Sequence, residues 1–232
     1  FAMVADEKEM YENVDPLLVT KMIKDVDEIV SLIEKANQAA GKENFKVKPD
    51  QIRMAKSLVE GKIVVAENAA GKTLAKFIAA LANMKNGRQA TILTRDNNDS
   101  AKWISDTPEE GFGATYKEML AAVLGNNNAI VDLDGMMKDY DEELKFRRNV
   151  ASREKLQSIE EKMAQALQSP EILKIVSINA RGHMPNRFLA NKDILAGLES
   201  MKNNGDTILD EADDLLLLET TYIQSRSKSA GR

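Results

Sequence analysis

Apolar residues recur at three- and four-residue steps near the start of the chain: Leu17, Leu18, Met22, Ile23, Val26, Ile29, Val30, Leu32 and Ile33. That spacing draws one stripe along a long helix. Asp15-Pro16 opens it, an aspartate N-cap before a proline at the first helical position, and Gly41 closes it. A shorter amphipathic piece runs from Glu7 to Asn13, so residues 1–47 read as an N-terminal helical extension packed on the side of a main domain. Lys48-Pro49-Asp50-Gln51 starts a second helix that reaches Val59, and Gly61 breaks it.

Then the period changes. Ile63-Val64-Val65-Ala66 is a short continuous apolar run, the pattern of a buried parallel strand. Helical spacing returns from Thr73 to Leu81, followed by a strand over Arg88–Thr94 and cap residues over Asp96–Asp99. A helical turn is expected over Ser100–Ile104, a helix over Ala114–Leu124 and a strand over Ala129–Leu133. Residues 136–168 are highly charged, with sparse apolar positions (Leu144, Phe146, Val150, Leu156, Ile159, Met163, Leu167). They predict one or two solvent-exposed helices, an insertion projecting from the sheet. Ser169-Pro170 reads as the cap of a short helix and Leu173–Ile178 as a strand. Asn179–Arg187 reads as a polar loop, Asn191–Met201 as a helix stopped by Asn203-Asn204-Gly205, and Thr207–Leu209 as a last strand. Strands alternating with helices over 48–232 predict an α/β fold, a mostly parallel sheet with helices on both faces. Ligands of such sheets sit beyond the carboxyl ends of the strands. Arg181, His183 and Arg187 are therefore candidates to approach a phosphate or a polymer, against the plainer reading of a surface loop.

Composition narrows the chemistry. The 232 residues include no cysteine, which excludes disulfides, thiolate metal sites and thiol redox chemistry. A single histidine, His183, excludes a multi-histidine metal site. No apolar run approaches the ~20 residues that span a bilayer. The first residues lack a basic and apolar leader, so the expected location is the cytoplasm, or a position peripheral to a membrane. A net charge of −5 argues mildly against a standing nucleic-acid footprint.

Ala66-Glu67-Asn68-Ala69-Ala70-Gly71-Lys72-Thr73 fits the A-x-x-x-x-G-K-T pattern of a phosphate loop between a strand and a helix. Such a loop turns backbone N–H groups of Asn68, Ala69, Ala70 and Gly71 toward phosphate oxygens, at a helix end with partial positive charge. Lys72 then reaches the β and γ phosphates and the Thr73 hydroxyl ligates Mg²⁺. The expected partner is Thr207-Ile208-Leu209-Asp210-Glu211-Ala212-Asp213, a strand running into D-E-A-D. Gln51, ahead of the loop, has an amide able to read an adenine edge; a surface glutamine is the plainer reading.

From Gln51 to Thr73 the chain resembles the first nucleotide-binding domain of SecA-type motor ATPases, relatives of the DEAD-box helicases. Gln51, Leu58, Glu60-Gly61-Lys62-Ile63 and Gly71-Lys72-Thr73 fall at SecA-like positions without a gap. Ile92-Leu93-Thr94 with Asp96 and Trp103, and Leu209–Glu219, are similar more loosely. Roughly a quarter of the chain carries the resemblance, and only the phosphate loop and D-E-A-D are specific motifs. The resemblance implies a RecA-like domain that binds ATP and Mg²⁺. Asp210 would join Thr73 in placing the metal, Glu211 would orient or deprotonate the attacking water, and Gln51 would read adenine. It implies a second RecA-like domain, in cis or trans, that supplies arginines, so that hydrolysis by this chain alone is slow. The acidic charge favours a polypeptide over nucleic acid as the polymer moved. Asn68-Ala69 stands where the family has Thr-Gly, and a side chain at Ala69 carries a steric penalty in a loop that needs close approach to phosphate. That departure leaves a second reading open, a binding or scaffold module without turnover. An RNA-helicase-like domain, and an interaction protein acting through the 136–168 helices, are further alternatives.

Overall fold

The computed structural model describes residues 15–62, 64, 71–95 and 97–209. Within them the chain forms nine helices and four strands. Helix α1 (Pro16–Ala39) starts where the Asp15 carboxylate accepts the Leu17 N–H at 2.9 Å, with Pro16 at the first helical position. Its stripe buries Met22, Val26, Ile29, Val30 and Ile33. Helices α2 (Pro49–Val59) and α3 (Lys72–Lys85) follow, then strand β1 (Gln89–Thr94) and helices α4 (Asn97–Ile104) and α5 (Tyr116–Leu124). Strand β2 (Ala129–Asp132) leads into a helical pair, α6 (Leu133–Leu144) and α7 (Val150–Gln168). Strand β3 (Ile172–Ser177), helices α8 (Ile178–Arg187) and α9 (Lys192–Asn204) and strand β4 (Gly205–Leu209) complete the order.

The strands lie in the order β2-β3-β1-β4, and every pairing is parallel. Register sets Ile92 beside Ile175 and Ile208, and Thr91 beside Lys174 and Thr207. Successive side chains alternate between the faces. Ala90, Ile92, Leu173, Ile175 and Ile208 face one way and share a core with α1, α2, α3 and α5. Leu93 and Val176 face the other way, against Leu133 of α6, Met163 and Leu167 of α7, Met184 of α8, and Ile194 and Met201 of α9. Among the described residues the fold is α/β, with an all-parallel four-stranded sheet covered by helices on both faces. Among the described residues no helix is long and apolar enough to cross a membrane.

Three expectations change. Asn179–Arg187 is not a loop but helix α8, capped by Ser177, whose Oγ accepts the Ala180 N–H at 3.2 Å. Pro185 falls in the last turn of this helix, where only one upstream carbonyl loses its donor. Ser169-Pro170 caps no new helix: Ser169 is the C-cap of α7, and its Oγ accepts the Glu171 N–H at 3.1 Å in a turn. The 136–168 segment is two helices, and α7 is solvent-exposed only in part, because its last turns bury Met163, Ala164, Ala166 and Leu167. The strand expected over Ile63–Ala66, the piece over Glu7–Asn13 and Asp210 onward lie outside the described residues, Val64 excepted.

Beneath the second face lies a cation. Lys174 is fully buried in the central part of β3. Its ammonium donates to the Ser169 carbonyl at 2.6 Å and to Gln89 Oε1 at 3.1 Å. Burial pushes its pKa down to about 8.

Candidate nucleotide site

In a parallel sheet every strand ends on the same edge, here at Thr94, Asp132, Ser177 and Leu209. Helix α3 hands over to β1 through the Asn86-Gly87 turn, so its C-terminus lies at the opposite edge. Fourteen helical residues span about 21 Å and a six-residue strand about 20 Å. The start of α3 therefore reaches the edge where the strands end. Gly71, Lys72 and Thr73 come to the same side as the end of β4, whose next residues in sequence are Asp210 and Glu211.

Gly71 is the N-cap of α3 and has φ +76°, the left-handed region that glycine occupies at no steric cost. A Cβ there would stand 1.9 Å from Gln51 Nε2. Position 71 thus needs glycine for two reasons, a backbone angle and a neighbour. Gln51 itself is buried near the start of α2. Its Oε1 accepts the Lys48 N–H at 2.8 Å, and its Nε2 donates to the Gly71 carbonyl at 3.4 Å. The plain surface role is excluded. Both ends of the amide are engaged within the chain: Oε1 caps α2 itself, and Nε2 fastens α2 to the start of α3. Lys72 and Thr73 follow at the first helical positions, half-buried. Asn68, Ala69, Ala70, Asp210 and Glu211 lie outside the described residues.

The donor set at the described end suits a phosphate-bearing ligand. A helix N-terminus offers unpaired N–H groups, Lys72 a cation and Thr73 a hydroxyl. Among the described residues no cluster of three His, Asp or Glu could hold a metal.

Farther along this edge is a cluster that no local motif signals. Asp134, near the start of α6, is buried and accepts from Ser177 N and Oγ at the end of β3. It also accepts from Ser100 Oγ of α4 at 3.2 Å, and Ser100 Oγ lies 3.0 Å from Thr94 Oγ1 at the end of β1. One carboxylate thus links helices α4 and α6 to the ends of strands β1 and β3. Its neighbour Asp132 caps α6 by accepting the Asp134 N–H at 3.0 Å. Burial pushes the Asp132 carboxyl up, against the Gly135 N–H that holds it down. Asp134 is far in sequence from Ser100 and Ser177, so no local pattern could have brought the three together.

The three candidate cations of α8 do not converge. Arg181 donates to Thr207 Oγ1 on β4 at 3.3 Å, and partial burial lowers its pKa. His183 is exposed, and Arg187 pairs with Asp141 of α6.

No family model, curated protein or solved structure matches the chain.

Proposed function

We propose that this chain is the ATP-binding first half of a two-domain, SecA-like motor ATPase with a RecA-like fold. The observation that carries this reading is Gly71, a left-handed N-cap that starts α3 at the edge where four parallel strands end. Lys72 at that helix start holds the β and γ phosphates. Thr73 and Asp210 would hold a Mg²⁺, which would supply positive charge against the phosphates. Glu211 orients or deprotonates the water that attacks the γ phosphorus. Gln51 reads adenine only by giving up one of its amide's bonds to Lys48 and Gly71. Asn68, Ala69 and Ala70 present backbone N–H groups. Without arginines from a second domain, turnover by the isolated chain is slow.

Calorimetric titration of Mg-ATP into the chain tests the site. Saturable binding that Lys72→Ala abolishes supports it; binding indifferent to Lys72 removes it. A second reading is favoured by the Gln51 amide, which is already bonded at both ends. On that reading the fold is a binding module in which Gln51 is a fastener. Equal affinity for ATP, GTP and inorganic triphosphate, unaltered by Gln51→Ala, would support it over adenine recognition.

A further inference from the structure

We propose that the turn between α6 and α7 is a docking surface for single-stranded nucleic acid, with Phe146 as a stacking platform and Lys145, Arg147 and Arg148 as phosphate contacts. The inference owes nothing to the nucleotide site.

Charge is the first observation. Residues 145–153 (KFRRNVASR) hold one lysine, three arginines and no acidic residue, in a chain of net charge −5. Of the acids that flank the tip, Glu142 and Glu154 are exposed and two others are engaged in ion pairs. Glu143 pairs with Lys155 at 2.9 Å, and Asp141 pairs with Arg187. Among the described residues no carboxylate pairs with Lys145, Arg147 or Arg148.

Shape is the second. The turn is ordered by its own hydrogen bonds: Phe146 N to Glu143 O at 2.9 Å, Asn149 N to Phe146 O at 2.9 Å, and Ala151 N to Asn149 Oδ1 at 3.0 Å. Arg153 donates to the carbonyls of Arg147 at 3.2 Å and Arg148 at 3.3 Å and so holds the loop from beneath. A preformed turn leaves little entropy to lose on binding. It borders an open depression of about 560 Å³ lined by Lys145, Phe146, Arg147, Arg148, Asn149 and Ser152. Phe146 is 64% exposed there.

Placement is the third. Helix α7 delivers the chain to the start of β3, and its 19 residues, about 28 Å, outrun a strand of about 20 Å. Helix α6 starts at the end of β2 and runs antiparallel to α7, with Tyr140 bonded to Glu160 and Glu143 to Lys155. The tip therefore projects from the edge where ligands of such sheets bind.

An exposed ring among forked guanidinium groups fits a base on a phosphate chain. An acidic peptide would satisfy the cations and leave the ring without a stacking partner. A bilayer would find only Phe146 and Val150 as exposed apolar side chains, around a concave surface. The acidity of the whole chain favours a polypeptide, but phosphates meet the local field of this tip.

The test is fluorescence anisotropy of a labelled mixed-sequence RNA of about 15 nucleotides, long enough for one binding footprint, across a salt series without ATP. Phe146→Leu should weaken binding about 5- to 100-fold with the salt slope unchanged, while Phe146→Trp keeps the affinity. Arg147→Ala with Arg148→Ala should lower the slope by about 1.4 in log–log terms. These side chains are exposed, so the variants should melt with the parent. Absence of binding at low salt, or unchanged affinity and slope in the variants, overturns the proposal. Equal affinity for the same sequence as a duplex overturns it too, because paired bases offer no free face. Displacement of the RNA by polyglutamate of equal charge would make the contact one of charge alone and overturns the proposal as well. Phe146-dependent capture by phosphatidylserine vesicles, with RNA unbound, would assign the tip to membranes and sink the idea.

Discussion

Single side chains set two measurable properties. Gly71→Ala forces an L-residue into the left-handed region, which costs about 1–2 kcal/mol, and drives a methyl into the Gln51 amide. That amide is the movable party, so its Nε2 bond to Gly71 is lost, adding about 1 kcal/mol. Urea unfolding should show a loss of about 2–3 kcal/mol. In a Gln51→Ala background the same change should cost only the backbone part, and full additivity would show that the amide is not where the methyl goes. Lys174 sets the second property. Its pKa falls from the ordinary lysine value to about 8 in the folded chain, because burial disfavours the charged form. Between about pH 8 and 10.5 the unfolded chain holds the proton that the folded chain has released. Stability therefore rises with pH through that window, by about 2 kcal/mol from pH 7.5 to 9.5. Lys174→Met removes the titrating group and should flatten that rise. A rise of the same size in the variant would place its source elsewhere.

At the scale of elements, α1 adds its buried stripe to the core by packing on α2, α3 and α5. Met22, Val26, Ile29, Val30 and Ile33 join the cluster that holds Phe77 and Ile78 of α3 and Ile92 of β1. Asn37 ties its last turn to the approach of α5: Oδ1 accepts Gly113 N at 2.9 Å and Ala114 N at 3.2 Å, and Nδ2 donates to Ile33 O at 2.9 Å. At about 1.5–3 kcal/mol per large apolar side chain, five such residues contribute about 7.5–15 kcal/mol, as much as the roughly 5–15 kcal/mol of a whole domain. A chain that begins at Lys48 should fail to fold, giving no cooperative melt by circular dichroism; a cooperative melt at the parental temperature would make α1 dispensable. Elements of this kind were legible where a cap and a period agreed, as at Asp15-Pro16 with the stripe behind it. Helix α8 was hidden because Ser177 looked like strand and Gly182 and Pro185 like loop, although Ser177 is the cap that starts the helix. The alternation of strands and helices gave the parallel sheet; its order β2-β3-β1-β4 depends on crossovers that no local pattern records.

For the molecule as a whole, the edge where the strands end is where tertiary placement exceeds what the sequence could tell. Gly71-Lys72-Thr73 was readable as a motif, but its contact with Gln51, twenty positions earlier, is a property of the packed α2–α3 pair. The Asp134 cluster draws on four elements and had no signature at all. A ligand that binds only the folded chain at such an edge must stabilise the whole molecule. At one hundred times its dissociation constant Mg-ATP should contribute about 2.7 kcal/mol, a rise in melting temperature of roughly 5–10 °C for a chain of this size. Lys72→Ala should abolish the rise. Glu211→Gln should keep it, since the amide removes a base and not a phosphate contact, while any measurable hydrolysis falls. These two variants separate binding from chemistry. If Glu211→Gln leaves a measurable ATPase rate untouched, Glu211 does not activate the water. If the temperature shift survives Lys72→Ala, the nucleotide sits somewhere other than the start of α3.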